Sequence, residues 1–272
     1  MKLAISNIAW RSDEDAFIAD HLSRWGAQGI ELAPTRLWPQ PLSATAAQVT
    51  EQRRFWDSRG LPIVALQSLL FGHPELTLFD SAETRAKTLA YLTGMIHLAR
   101  DLGAKVLVFG SPKNRLAGKR PAADVQATAV DFFREVGNRA AGAGVSFCIE
   151  PNPPYYACDF VTTSQEGRAL VDAVKSAGFG LHLDAAAMTL AQENLDAAIT
   201  ASAGQLCHFH VSEKDLAPLG AGSVEHAHAG AALRRIGYAG WVSAEMRPAP
   251  EPVSNRPAVQ EALELLQTLY VG

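Results

Sequence analysis

Cysteine is scarce: Cys148, Cys158 and Cys207 are the only three in 272 residues. Their number and spread exclude a disulfide framework and a cysteine-rich zinc site, so a reducing compartment is the simpler expectation. An excess of basic charge is also missing. With 24 Lys and Arg against 28 Asp and Glu, the formal net charge of -4 repels a phosphate backbone and argues against a nucleic-acid partner. No apolar run reaches the roughly 18 residues of a membrane-spanning helix. The N-terminus turns polar at Ser6 and Asn7, without the apolar centre of a signal peptide. A cytoplasmic chain without a membrane partner is expected. Linkers rich in Pro, Gly or Ser, low-complexity tracts and abrupt composition shifts are absent too, so residues 1–272 are expected to form one domain.

What the sequence does contain is alternation. Short β-rich runs at Leu3 to Ala9, Gly29 to Leu32, Pro62 to Gln67, Lys105 to Phe109, Val145 to Glu150, Gly180 to Asp184, Gln205 to Val211 and Gly240 to Glu245 are separated by longer helical patterns. Runs such as Val106-Leu107-Val108-Phe109 are continuously apolar, as strands covered on both faces must be. Between runs, Leu89, Leu92 and Ile96 recur at helical spacing within Ser81 to Leu102, as do Val125, Ala129, Phe132 and Val136 within Asp124 to Ala141. Gly103 and Gly144 follow those two patterns, where a helix needs a left-handed residue to stop. Eight β/α units in a chain of this length predict a (β/α)8 TIM barrel.

Four of the predicted strands end on an acid or an imidazole: Glu150, Asp184, His210 and Glu245. Barrel strands deliver their C-terminal residues to the catalytic mouth. Separations of 34, 26 and 35 residues, each about one β/α unit, bring the four to one half of that mouth. Three carboxylates in a partly dry cleft raise one another's pKa unless a cation neutralises them, so one divalent metal per chain is expected. An oxygen-rich donor set suits Mn²⁺, Mg²⁺ or Co²⁺ better than structural Zn²⁺, and Mn²⁺ is the leading expectation, with Zn²⁺ still open.

The segments Cys148-Ile149-Glu150-Pro151-Asn152, Leu181-His182-Leu183-Asp184, His208-Phe209-His210-Val211-Ser212-Glu213 and Ser243-Ala244-Glu245-Met246 resemble the xylose-isomerase-like barrel superfamily. Within it, they resemble the sugar isomerases and epimerases that include the ketose 3-epimerases, and the likeness spans essentially the whole chain. The resemblance implies that Glu150, Asp184, His210 and Glu245 bind the metal and that Glu150 and Glu245 transfer protons on opposite faces of a sugar. Chemistry agrees: a metal on adjacent carbonyl and hydroxyl oxygens stabilises an enediolate, so the proton between them can be removed. Two departures stand out. Ketose 3-epimerases usually carry a histidine three residues after the ligand aspartate and an arginine six after the ligand histidine, where this chain has Ala187 and Leu216.

Around this set, His182 and His208 precede ligand positions by two residues and therefore share their face of the strand. Either lines the pocket or is a hydrogen-bonded core histidine. Glu213 is a candidate to orient the imidazole or bind substrate, the alternative being a solvated loop acid. Asn7, Trp10, Glu31 and Gln67 are expected to face the mouth, with Phe71, His73 and Trp38 as further wall candidates. Lys113, Arg115, Lys119 and Arg120 crowd the fourth loop, where they would recognise an anionic substrate or simply be solvated; Arg247 is a similar candidate. The expected partner is thus a small sugar or sugar derivative, neutral or anionic, with a homo-oligomer allowed. Three other readings stay open: a metal-dependent dehydratase or lyase on a keto-inositol or keto-acid, an endonuclease-type barrel, and an inactive binding protein on the same scaffold.

Overall fold

The computed structural model describes every residue from Met1 to Gly272. Eight strands, β1 (Lys2–Ser6), β2 (Gly29–Leu32), β3 (Ile63–Leu66), β4 (Val106–Phe109), β5 (Ser146–Ile149), β6 (Phe179–Asp184), β7 (Leu206–Ser212) and β8 (Trp241–Glu245), run parallel in sequence order. Pairing of Lys2 with Trp241 and of Ile5 with Ala244 closes β8 onto β1, so no sheet edge is left. The chain is a (β/α)8 TIM barrel, as its alternation predicts.

Ten helices follow: α1 (Asp15–His21), α2 (Pro34–Leu37), α3 (Ala46–Asp57), α4 (Ala82–Leu102), α5 (Ala122–Ala143), α6 (Ser164–Val174), α7 (Ala185–Leu190), α8 (Leu195–Ala201), α9 (His226–Arg235) and α10 (Arg256–Leu266). Local signals set their ends. Thr45 and Gln48 form a reciprocal capping box on α3. Gly103 and Gly144 take left-handed φ of 90° and 71° at the ends of α4 and α5. None of these helices is long and apolar enough to cross a membrane.

The first strand is shorter than its sequence suggests. It stops at Ser6, whose hydroxyl accepts the Ile8 N–H, and the chain turns through a 3-10 helix at Asn7–Ala9. A side chain that serves its own backbone competes with the sheet ladder, and here it wins.

The wall that carries the β5 and β6 ends is braced by aromatic rings. Phe109 lies 5.4 Å from Phe147, and Phe133 of α5 lies 5.8 Å from Phe109 and 5.0 Å from Phe179. Inside the barrel, Ala4, Val64, Val106, Val108 and Cys148 form a small apolar plug, against which Cys207 and Trp241 pack. Alternation along each strand puts Ser6, Glu150 and Glu245 above that plug, at the mouth.

Candidate active site

Strand register brings the polar residues to one level. Asp184 of β6 pairs with His210 of β7, and Ser212 pairs with Glu245 of β8. Side-chain donor atoms of Asp184, His210 and Glu245 lie within 4.8 Å of one another, and so do those of Glu150, His182 and His210. His210 therefore joins the two groups, and all four side chains expected at the mouth converge there.

Each member is held by its neighbours. Asp184 is the N-cap of α7: one carboxylate oxygen accepts the Ala187 N–H at 2.6 Å, and the other accepts the Ser212 hydroxyl. Ala187, at the position where ketose 3-epimerases usually have histidine, contributes its backbone here rather than a side chain. Glu150 sits against Gly110, where any Cβ would collide with Oε2 of Glu150, so only glycine lets the carboxylate take this place. Its main-chain carbonyl accepts a 2.6 Å hydrogen bond from Arg115. Nδ1 of His210 faces Oε2 of Glu245 at 3.3 Å and makes no hydrogen bond.

The electrostatics of this cluster are those of an anion-rich site. Burial pushes Glu150 up to about 8, and the Asp184 and Glu245 carboxylates add to the shift against the opposing pull of His210. Asp184 rises to about 6 by burial and then by repulsion from Glu245. Burial opposes a charge on His210, but Glu31 and Glu245 outweigh it and hold the imidazole well above its usual value. A buried cluster in which Glu150 and Asp184 resist ionisation and an imidazole nitrogen has no hydrogen-bond partner fits a divalent cation: its charge would neutralise the acids, and it would take the place of a proton on the His210 nitrogen.

These shifts predict a pH dependence of stability. In metal-free protein both carboxylates have folded pKa values above their ordinary 4.5 and 3.8, so the folded state holds protons more tightly than the unfolded one. Stability from this source is complete at low pH and lost as pH rises through about 6 and then about 8. Glu31, held well below the usual carboxylate range, is ionised across that window. Thermal scans in EDTA from about pH 5 to about pH 8.5 are expected to show a falling Tm, and Glu150→Gln to flatten the upper part of the fall. A Tm that climbs over this range would contradict the assignment.

The surrounding candidates divide. His182 is fully buried, with its ring 4.2 Å from His210 and Nε2 3.7 Å from Oε1 of Glu150, and neither ring nitrogen has a partner. Burial, then the neighbouring imidazoles, keep it neutral by holding its pKa well below the usual value. His208 faces inward as well, but its Nε2 is 3.4 Å from Glu31, deeper in the barrel. Asn7 and Gln67 are buried and committed to the scaffold: Asn7 accepts the Ala33 N–H at 2.8 Å, leaving Nδ2 unpartnered, and Gln67 donates to Ser6.

Five expectations need correction. Glu213 does not reach the His210 ring. Alternation turns it to the outer face of β7, where it meets His226 of α9 at 3.3 Å. Arg247 is exposed and spends its guanidinium on the Asp215 carbonyl, so it is held by backbone rather than free for a substrate anion. The four cations of the fourth loop do not act as one cluster. Arg115 is fully buried behind Glu150 and Arg120 pairs with Asp80 at 3.0 Å, while Lys113 is exposed in the turn Pro112–Arg115. Trp10 is wholly buried and donates its indole N–H to Asp15, which makes it core. His73 bonds Glu75 at 3.0 Å and packs on Tyr91 of α4, so its ring is committed to its own loop and that helix.

Sequence reasoning missed Tyr156. Its hydroxyl accepts the Asp215 N–H at 3.2 Å, and burial, then the Asp184, Asp215 and Glu245 carboxylates, push the phenol up to about 12, so it stays a donor beside the cluster. The only signal was the aromatic pair in Pro153-Pro154-Tyr155-Tyr156, a few residues beyond Glu150.

Residues 19–269 match a family model described as xylose isomerase-like TIM barrel. The chain belongs to that family. Among curated members, a probable ketose 3-epimerase of Synechocystis sp. is 25% identical over 252 residues, covering 90% of this chain and 84% of the relative. An L-ribulose 3-epimerase of Mesorhizobium japonicum is 28% identical over 183 residues, covering 67% of this chain and 61% of the relative. Among solved structures, a D-psicose 3-epimerase from Clostridium cellulolyticum H10, determined with D-tagatose, superposes with a TM-score of 0.83 at 20% identity, covering 99% of each chain. At that identity the superposition speaks for the fold.

Proposed function

We propose that this barrel is a metal-dependent sugar epimerase or isomerase that moves a proton at the carbon next to a ketose carbonyl. The observation that carries the reading is the placement of two glutamates on either flank of the Asp184–His210 pair, with a desolvated, anion-rich centre between them. Family membership and curated ketose 3-epimerase relatives support it.

In this reading Glu150, Asp184, His210 and Glu245 hold one cation, Mn²⁺ first by donor chemistry. Bound by these residues, the ion would supply the positive charge that acidifies the C–H next to a carbonyl. Glu150 and Glu245 do the proton work. One removes the proton from one face of the sugar, and the other returns a proton to the opposite face for epimerisation, or to a neighbouring atom for isomerisation. His182, neutral and unpartnered, offers a donor and an acceptor to a substrate hydroxyl, and Tyr156 offers a second donor. Substrate access from the cytoplasm and a homo-oligomeric assembly complete the proposal.

A second reading, dehydration of a keto-inositol or keto-acid on the same centre, is favoured by Ala187 and Leu216, which supply no polar side chain where ketose 3-epimerases have two. Incubation of the Mn²⁺-loaded protein with ketopentoses, ketohexoses, inososes and hydroxypyruvate separates the two. Products of unchanged mass are expected from a ketose, whereas loss of water from an inosose with no ketose turnover would establish the second reading instead.

A further inference from the structure

Glu31, the third residue of β2, stands across the barrel from β6 and β7 and reaches through the interior to the histidines of β7. It has no solvent exposure. Its carboxylate lies 2.9 and 3.1 Å from Nε2 of His210 and 3.4 Å from Nε2 of His208, and these two imidazoles are its only hydrogen-bond partners. A buried carboxylate accepts but cannot donate, so both rings must present N–H at Nε2; the other neutral tautomer would set a nitrogen lone pair against an anion. Where a cation takes the place of a proton on Nδ1, His210 therefore turns that lone pair the opposite way, toward Glu245 and the centre of the cluster, where the atom makes no hydrogen bond.

We infer that Glu31 is a positioning residue for the metal site: it fixes the tautomer and ring orientation of His210 and raises the donor strength of Nδ1. The inference rests on the metal reading proposed above. Glu31 touches neither the Asp184–Glu245 group nor the Glu150–His182 group except through His210, so its action runs through that ring. A carboxylate behind a ligating imidazole typically sustains about 10- to 100-fold of metal affinity, because it holds the ring in place and makes it more basic.

The test uses full-length protein depleted with EDTA and titrated with Mn²⁺ by calorimetry, alongside Co²⁺ loading read by visible absorption. Glu31→Gln keeps the shape and removes the charge, and it is expected to weaken Mn²⁺ binding about 10- to 100-fold and to alter the Co²⁺ spectrum. Wild-type affinity and an unchanged Co²⁺ spectrum in the variant would overturn the inference while leaving the metal reading intact. Absence of stoichiometric Mn²⁺ uptake by the wild-type protein would overturn the metal reading and the inference with it. Should Glu31→Gln fail to fold, Glu31→Asp, which keeps the charge but withdraws it by one methylene, is held to the same two outcomes.

Discussion

Glu150→Gln and Glu245→Gln are each expected to lower kcat by at least about 100-fold, the low end of what positioned acid and base groups contribute. Glutamine nearly preserves shape and still offers one oxygen to a cation, but it cannot take up a proton. Glu150 directly follows β5 and Glu245 ends β8, on either side of the Asp184–His210 pair, and both are partly exposed while Asp184 and His210 are buried. On the function proposed above, a substrate in the mouth would meet a base on each face. Cation binding reduces a carboxylate's basicity, yet the same charge acidifies the substrate proton, so the glutamates remain competent bases. Turnover of the wild-type enzyme in D₂O should place deuterium at the carbon next to the carbonyl. Wild-type rates in both variants would sink the two-glutamate mechanism, and full turnover without solvent deuterium would point to hydride shift or internal proton return.

Asp184→Asn is expected to abolish activity by emptying the metal site. Asp184 holds its carboxylate with two donors, the Ala187 N–H and the Ser212 hydroxyl, and both aim it at the cluster. Asparagine keeps the oxygen that caps α7, whereas alanine would also lose the cap and about 1 kcal/mol with it. Loss of one anionic donor should cost more than the roughly 100-fold in affinity that bounds removal of an outer-sphere partner. Elemental analysis of wild-type and variant protein after dialysis against Mn²⁺ reads the result directly. Undiminished metal in the variant would remove Asp184 from the site, and inactivity with full metal content would give it a different role.

Much of this architecture was legible from the residues alone. Alternation of β-branched runs with helical apolar spacing determined the barrel, because only a parallel sheet covered on both faces satisfies eight such units. Strand-end position then identified Glu150, Asp184, His210 and Glu245, since barrel strands deliver their last residues to one rim. Alternation also put His182 and His208 on the inward face.

Tertiary structure decided the rest, through contacts between residues far apart in sequence. Arg115 reads as one more cation in a basic loop, and its burial behind the Glu150 carbonyl follows only from how the fourth loop folds over β5. Glu213 lies three residues from His210 in sequence yet faces His226 across the outer surface of β7. Glu31 and His210 stand 179 positions apart, and no local pattern announces a pair that exists only because the barrel closes. Sequence determined which strand ends carry acids and an imidazole, because periodicity is a local property of the backbone; closure of the barrel decided which side chains meet, because that depends on the path of the whole chain.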